Sequence, residues 1–454
     1  MNKIESMLVS IINRHQVMPI IIAYSGGVDS QVLLHALANL SRQKHIHNNI
    51  TVCHVNHGLS INAQDWQQFA QLQCQQLNLA LTICEVNVQA QKQQSLEALA
   101  RDARYQALKT VNIERSLIIT GHHRDDQSET FLLALKRGAG LKGLSAMAAE
   151  TTLDKHILLR PLLAISRNEI EKYARDSELS WVEDESNSDT RFDRNFLRKQ
   201  IMPLFNQRWP SINDTINRSA AHCLEGQELL DELAEQDLTD AMLSSVSLQV
   251  SQLTQLSKAR FNNLVRFFLA KHDCLMPSTE QLMQLRQQLL ASDDKNPAVK
   301  VGDHYLRRYK KAVYLTQTYA DISDWRQDIE LLKGDVSIDL PDGLASLLFS
   351  ALPIEDNTAQ QVQSPEAGQE VTLRFNHNNP KCLPDYRQHS RSLKKVLQEL
   401  NIAPWQRKRI AFLYYDEIFV AAIGHFTCQD YLPNSKESGI YVSRKLFAVT
   451  KPLE

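Results

Sequence analysis

Cysteine is scarce in this sequence and unpaired. There are seven in 454 residues, at positions 53, 74, 84, 223, 274, 382 and 428, and no two are spaced as CxxC. That excludes a zinc knuckle and a cysteine-held iron–sulfur cluster, and fits reduced thiols in a cytoplasmic protein. No apolar run approaches the ~20 residues needed to span a bilayer, so no membrane role is expected. The first residues, MNKIESMLVSIINRHQ, mix both charge signs into a short amphipathic pattern, without a signal-peptide core or cleavage site. An excess of positive charge is also missing: 50 Lys+Arg against 52 Asp+Glu leave a formal net charge of −2. Any binding of nucleic acid must then rest on local basic patches. The phosphate loop Gly-x4-Gly-Lys-Ser/Thr occurs nowhere. What is present is an ordinary globular composition, 43 % hydrophobic, long enough for about three domains.

The most informative stretch is IIIAYSGGVDS, residues 20–30. An apolar run stops at two glycines, and the helical pattern QVLLHALANL follows. The order predicts a buried strand, a tight turn and a helix whose N-terminus points back at the turn. Backbone N–H groups and the helix dipole make such a turn a nest for polyphosphate. Gly26 and Gly27 admit a close anion, Val28 completes the Gly-Gly-Val turn, and Ser25 and Ser30 offer hydroxyl donors. Asp29 is an acid where anions are attracted, which makes sense as a Mg²⁺ ligand beside the phosphates. SGGxDS resembles the pyrophosphate loop of the ATP-pyrophosphatase superfamily, whose members cut ATP to AMP and pyrophosphate.

Apolar runs then recur as TVCHV (51–55), LTICEV (81–86), SLIIT (116–120) and HILLRPL (156–162), expected as strands. Helical patterns lie between them at 63–77, 95–109, 126–137 and 166–176, the last opening on the capping-box pair Ser166 and Glu169. The alternation predicts a doubly wound parallel α/β sheet, which binds ligands at the carboxyl ends of its strands. Polar residues cluster there. After the second strand come His54, Asn56 and His57, and after the fourth comes TGHHRDDQSET, 120–130. His122, His123, Asp125 and Asp126 admit three readings: a transition-metal site, caps of the next helix, or a carboxylate joining Asp29 around Mg²⁺ with a histidine on the nucleotide. Carboxylates beside phosphates favour the third. In SLEALARDARYQAL, Arg101 pairs with Glu97 at i,i+4 and Arg104 lies on the helix side, both readable as a solvated face.

Together SGGVDS, HVNHGL, the ARxxRY of 100–105, GHHRDDQSETFLLALKRGAGLKGLSAM, RPLL and WVEDESNSDTRFDRNFLRKQIMPLF (181–205) resemble the tRNA(Ile)-lysidine synthetase family. The last block is the most specific. The resemblance covers nearly all of 18–210 and returns near the C-terminus. It implies a PP-loop ATPase that uses ATP and Mg²⁺ to adenylate the wobble cytidine of the CAU-anticodon isoleucine tRNA. The amine of free L-lysine then displaces AMP, changing the codon and the amino-acid identity of the tRNA. It implies nucleotide contacts at Ser25–Ser30, His57, Arg104 and His122, a metal on Asp29 and Asp126, and catalytic roles for Asp29, Asp125, Asp126, Arg194 and Asn195. Asp125 and Asp126 either complete the metal site or receive the lysine ammonium; sequence leaves both open. The polar stretch Glu183–Asp193 reads as a long ordered loop that holds lysine or the flipped cytidine, with Glu183, Asp184, Asn187, Arg194, Asn195 and Arg198 in it or just beyond; the plain alternative is a loop capping a helix near Asp193.

The style changes after WPSI (209–212). Helices are expected at 213–238, 260–272 and 279–291, then a basic hairpin over 296–315 with Arg307, Arg308, Lys310 and Lys311 beside Tyr305 and Tyr309, suited to phosphate contact and base stacking. Residues 356–370 read as a linker. The closing α+β segment concentrates seven Arg/Lys against one acid between Arg387 and Arg409. Leu393, Val396, Leu397 and Leu400 form its buried stripe, leaving Arg391, Lys394 and Lys395 outward, and Arg387 and Arg407 add to the basic face. The block resembles the acceptor-stem-contacting C-terminal domain of longer family members. The expected domains are a catalytic one at 1–212, a mainly helical tRNA-contacting one at 213–330 and a tRNA-binding α+β one at 331–454. A dimer is allowed but not fixed. Rival readings are a tRNA thiolation enzyme, which would want paired cysteines; an amidotransferase-type ligase, which would not need the basic C-terminal block; and a tRNA-binding protein with a dead ATP site, which intact Asp29 and glycines argue against.

Overall fold

A computed structural model of the chain describes residues 1–15, 18–58, 60–88, 96–289, 297–330, 335–354, 359–433 and 439–445. It divides into two compact units, Met1–Leu230 and Asp231–Glu454, with the division inside one helix, Ile212–Ala241.

The first unit is built on a six-stranded sheet in the order β3-β2-β1-β4-β6-β5. Its strands are β1 Ile20–Tyr24, β2 Ile50–Asn56, β3 Ala80–Glu85, β4 Leu117–Ile119, β5 Glu150–Leu153 and β6 His156–Leu159. All pair in parallel except β5, an antiparallel edge strand. The sequence reading missed β5 because an edge strand needs no apolar run, and Glu150–Thr152 are exposed. The parallel strands are apolar because alternate side chains enter different cores. Ile20, Ile22 and Tyr24 face one cluster, and Ile21 packs with Cys53, Ile118 and Leu158 in the other.

The first face is covered by α1 Lys3–Ile12, α2 Val28–Arg42, α3 Ala63–Leu77 and α7 Arg167–Asp176, and the second by α4 Leu96–Thr110. The short amphipathic start of the chain is α1, whose Ile4, Leu8 and Ile12 enter the core. Ser95 of the expected fourth helix and the side chain of Glu97 lie outside the described residues. The unit continues through α5 Arg124–Lys136, α6 Leu141–Leu144, α8 Asp193–Phe196, a π-turn at Leu197–Ile201, α9 Met202–Arg208 and α10 Ile212–Ala241. Because β1 lies between β2 and β4, the crossovers reverse direction there. The loops after β1 and β4 therefore flank the crevice where ligands bind in such sheets.

The second unit opens on β7 Met242–Ser244 and β8 Ser247–Gln249, followed by α11 Val250–Gln255, α12 Lys258–Lys271 and α13 Thr279–Leu289. The expected hairpin is a three-strand meander of β9 Ala298–Val301, β10 His304–Tyr309 and β11 Ala312–Gln317, and β8 pairs with β11 to extend the sheet. The rest holds two more antiparallel sheets. One joins β12 Arg326–Asp328, β16 Val371–Arg374, β19 Phe412–Tyr415, β20 Ile418–Ala422 and β21 Phe426–Thr427. The other joins β13 Val336–Ile338, β14 Ser346–Ser350, β15 Gln360–Gln363 and β22 Gly439–Lys445. β15 corrects the expected linker: part of it pairs with β22, while 355–358 lie outside the described residues. A two-stranded ribbon, β17 Lys381–Cys382 and β18 Arg391–Ser392, leads into α14 Leu393–Glu399 and α15 Pro404–Arg407.

Candidate active site

The loop after β1 is strained where glycine is required. Gly26 has φ +86°, and a Cβ there would stand 2.7 Å from Val182 Cγ2. The Gly26 carbonyl accepts the Val182 N–H at 3.0 Å, so the start of the 181–205 block closes over the loop. Ser30 braces the turn from within: its hydroxyl donates to the Gly27 carbonyl at 2.9 Å and accepts the Ser25 N–H at 3.2 Å. Among the described residues no side chain caps α2, so its first turn, Val28–Ser30, keeps its N-terminal dipole open towards the crevice.

Asp29 lies in that turn. Its Oδ2 accepts from Arg167 at 2.7 Å, while Oδ1 is buried without a hydrogen-bond donor among the described residues. His123 Nε2 stands 3.6 Å from that oxygen and 3.4 Å from Asp126 Oδ2. The His123 Nδ1 accepts the Asp125 and Asp126 N–H groups that open α5. With Nδ1 occupied as an acceptor, Nε2 is the ring nitrogen left beside the two carboxylates. Burial holds Asp29 above the ordinary carboxylate range, even against His123 and Arg167. Burial acts on Asp126 in the same sense, but His123, His122 and Arg198 outweigh it and Asp126 is held below that range. Two neighbouring acids are thus pushed apart in acidity, as at sites that bind charge. Gly121 makes the meeting possible: a Cβ on it would come within 3.1–3.2 Å of the Asp29–Ser30 backbone.

Asp125 is placed differently from expectation. Its Oδ2 accepts the Arg167 N–H that opens α7, at 2.9 Å, and its Oδ1 accepts from Asn213 at 3.3 Å. Both oxygens carry hydrogen bonds that tie α5 to α7 and α10, and it is Asp126 that shares His123 with Asp29. The sequence reading missed Glu129, one turn further along α5 and buried. Arg198 grips it through Nε at 2.7 Å and a second nitrogen at 2.8 Å, and reaches Asp126 Oδ1 at 2.9 Å. Arg194 approaches Glu129 at 3.3 Å and donates to Thr130 at 2.8 Å. Glu129 stands in the quoted GHHRDDQSET run, and its i,i+3 spacing from Asp126 was the available signal. Asn195 is buried and donates to the Asp189 carbonyl at 2.9 Å, holding the preceding loop to α8.

His57 and Arg104 are 47 positions apart and meet: Arg104 Nε donates to His57 Nε2 at 3.5 Å. Burial first, then Arg104 and His54, push His57 down to about 4, so the ring is neutral. Its Nδ1 is buried with no partner among the described residues. His122 is held by Thr120 at 2.9 Å, and burial drives it down to about 3. His54 contacts the Tyr24 carbonyl at 3.1 Å and belongs to the scaffold. Among the described residues no group of three or more His, Cys, Asp or Glu is arranged to hold a metal by itself.

Residues 1–205 match the family model of a PP-loop domain, 248–314 that of a TilS substrate binding domain, and 371–444 that of a TilS substrate C-terminal domain. A tRNA(Ile)-lysidine synthase of Serratia proteamaculans (strain 568) is 41 % identical over 429 residues, 94 % of this chain and 95 % of the relative. The chain belongs to the tRNA(Ile)-lysidine synthase family. Proteins of the same description from Edwardsiella ictaluri (strain 93-146) and Vibrio vulnificus (strain CMCP6) are 41 % identical over 414 residues and 40 % over 416. They cover 90 % and 91 % of this chain, and 91 % and 93 % of their own lengths. Family membership makes the chain an ATP-using ligase.

In the segment matched to the family's substrate-binding model, the basic strand splits. Arg307 lies over the Tyr305 ring at 4.5 Å and the Trp405 ring at 5.6 Å. Arg308 is buried and donates to the Gln288 and Leu289 carbonyls at 3.3 and 3.1 Å, which corrects its expected role as a tRNA contact. Neighbouring residues of a strand point to opposite faces, so Arg307 and Arg308 cannot share one surface. In the C-terminal match, Arg407 donates to the Ile402 carbonyl at 2.8 Å, and Arg387 is ion-paired with Glu399. Both brace structure. Arg391, Lys394 and Lys395 are exposed, and Leu393, Val396 and Leu397 are buried as the stripe predicts.

Proposed function

We propose that this chain ligates free L-lysine to the wobble cytidine of the isoleucine tRNA whose anticodon is CAU. The Gly26–Ser30 loop and the open N-terminus of α2 receive the phosphates of ATP, and His57, whose Nδ1 has no partner among the described residues, lines the nucleotide together with Arg104 and His122. The cytidine 2-carbonyl oxygen attacks the α-phosphorus and pyrophosphate leaves. The lysine side-chain amine then attacks C2, and the C2–O bond breaks to release AMP. A carbonyl oxygen is a weak nucleophile, so holding it in line and stabilising charge on the phosphates is the main task of the site.

Mg²⁺ fits this donor set: Asp29 Oδ1 is a buried acceptor without a donor among the described residues, and Asp126 is its acidic neighbour. Asp29 and Asp126 would hold the ion, which supplies positive charge against the phosphate oxygens; one or two carboxylates plus substrate phosphates is its usual mode of binding. Arg194, Arg198 and Glu129 set the position of Asp126, and the 183–193 segment, closed over Gly26 at Val182, supplies polar groups for lysine and the flipped base.

The observation that supports the reading most is the meeting of Asp29, His123 and Asp126 at the switch point of the sheet, in a chain of this family. The test mixes purified protein, labelled lysine, Mg·ATP and an unmodified CAU-anticodon isoleucine tRNA transcript, with Asp29→Ala in parallel. ATP-dependent label in the tRNA, with AMP released and both lost in the variant, is the expected result. AMP without label in the tRNA would reject lysine as the nucleophile, and no AMP at all would reject the reaction.

A further inference from the structure

The rod from Asp193 to Arg208, formed by α8, the π-turn and α9, has two unlike faces. One carries Arg194 and Arg198 into the Glu129–Asp126 network and buries Asn195 and Met202. On the other, large apolar side chains face water: Phe192 is 41 % exposed, Phe196 40 %, Leu204 62 %, and Trp209, just past the end, 54 %. Phe192 is the N-cap of α8 and Phe196 stands one turn on; the Phe196 N–H bonds the Phe192 carbonyl at 2.9 Å, and both rings are exposed. The exposed cations Arg191, Lys199 and Arg208 are interleaved with them. Trp209 and Arg208 also line an open groove with Pro210, Ser211, Ile212 and Thr215.

Exposed rings alone would also suit a protein interface, but cations interleaved with them, Lys199 among them, favour a polyanion. The combination is right for unpaired RNA, where aromatic rings stack with bases and cations follow the phosphates. We propose that the Phe192–Phe196 ridge is the stacking platform for the anticodon nucleotides next to the wobble cytidine, with Arg191, Lys199 and Arg208 along their backbone. The inference rests on the reaction proposed above. Its logic is proximity: the ridge and the arginines that grip Asp126 belong to one helical rod, about 10–12 Å across, so the nucleotides flanking a base at Asp126 lie within reach of it. Stacking is tolerant of sequence, so the ridge sets the affinity for the anticodon loop and not the choice of its bases.

The test uses the full chain as wild type, Phe192→Ala, Phe196→Ala, the double variant and Phe192→Trp, with matching melting temperatures as a check of folding. An anticodon stem-loop carries 2-aminopurine in place of the adenine that follows the wobble cytidine. The expected result is fluorescence quenching by wild type that each alanine variant weakens. Each alanine variant also raises KM for the tRNA by roughly tenfold. ATP binding in the absence of RNA is unchanged, and Phe192→Trp recovers both signals. Folded alanine variants with wild-type quenching and tRNA KM would overturn the proposal. So would a change of assembly state in the double variant with no change in tRNA KM, which would make the ridge a contact between copies. If wild type quenches the probe through these phenylalanines yet transfers no lysine, the ridge stands and the proposed reaction falls.

Discussion

Asp125 and Asp126 are neighbours with different employment, and the difference is measurable. Asp125 ties the start of α7 to Asn213, so Asp125→Ala is expected to lower stability by about 1–3 kcal/mol through the donors it orphans. Thermal melting reads that loss, and the surviving folded fraction retains its KM for ATP. Asp126→Asn keeps the shape but removes the charge beside Asp29, and is expected to reduce AMP release by at least ~10²-fold, typical for the loss of one preorganised electrostatic group. Equal damage to catalysis by the two changes would contradict this division of roles. Gly121→Ala is the corresponding steric probe. Its Cβ would press on the Asp29–Ser30 backbone, and a loss of about 1–3 kcal/mol with a higher KM for ATP is expected from melting and kinetics.

At the scale of single elements, α7 shows how two weak groups fix one helix end. Ser166 accepts the Glu169 N–H, and the Glu169 carboxylate returns a bond to Ser166 and meets Lys3 of α1 at 2.6 Å. Partial burial works against the charge, but Lys3 and Ser166 outweigh it and hold Glu169 down to about 2 from its ordinary 4.5. A depressed acid contributes stability that is present above its unfolded pKa and is lost as pH falls through the folded one. Stability is therefore expected to decline between about pH 4.5 and pH 2, and Glu169→Ala to flatten that part of the melting-temperature profile. An unaltered profile would show that the contact contributes nothing.

This capping pair was legible in the sequence because its signal is local. So were β1, β2 and α3, whose apolar runs or helical period match the elements found. Two things escaped because their partners are distant in sequence: the engagement of Asp125 by Arg167 and Asn213, and the arginine grip on Glu129. Edge strand β5 escaped although its partner β6 is adjacent, because its exposed residues leave no apolar run. The misreading of Arg308 was local. Leu306 and Arg308 share the inward side of β10, so the alternation that announced a strand also assigned Arg308 to the core.

For the whole molecule, near-neutral net charge hides a division of labour among the basic residues of the C-terminal part. Arg308, Arg387 and Arg407 brace the fold, and Arg391, Lys394 and Lys395 remain exposed. Replacing those three with alanine is expected to weaken tRNA binding at low salt. It also makes the slope of log affinity against log salt shallower by about 2–3, at roughly 0.9 for each phosphate that is no longer neutralised. Arg308→Ala is expected to lower the melting temperature and leave that slope unchanged. A filter-binding salt series with melting curves separates the two.

The rod at 193–208 has one more consequence, and it is thermodynamic. Its inner arginines hold Asp126 and Glu129, its outer face carries Phe192 and Phe196, and the π-turn lies between its two α-helical pieces. If occupancy of the outer face changes the affinity of the inner site for ATP by some factor, ATP must change the affinity for the stem-loop by the same factor, because the two orders of binding close one cycle. Calorimetric titration of each ligand, with and without the other, measures both legs. With a typical coupling of about 1–3 kcal/mol, the pair would act as a coincidence detector, committing nucleotide chiefly when the RNA that will receive it is already seated.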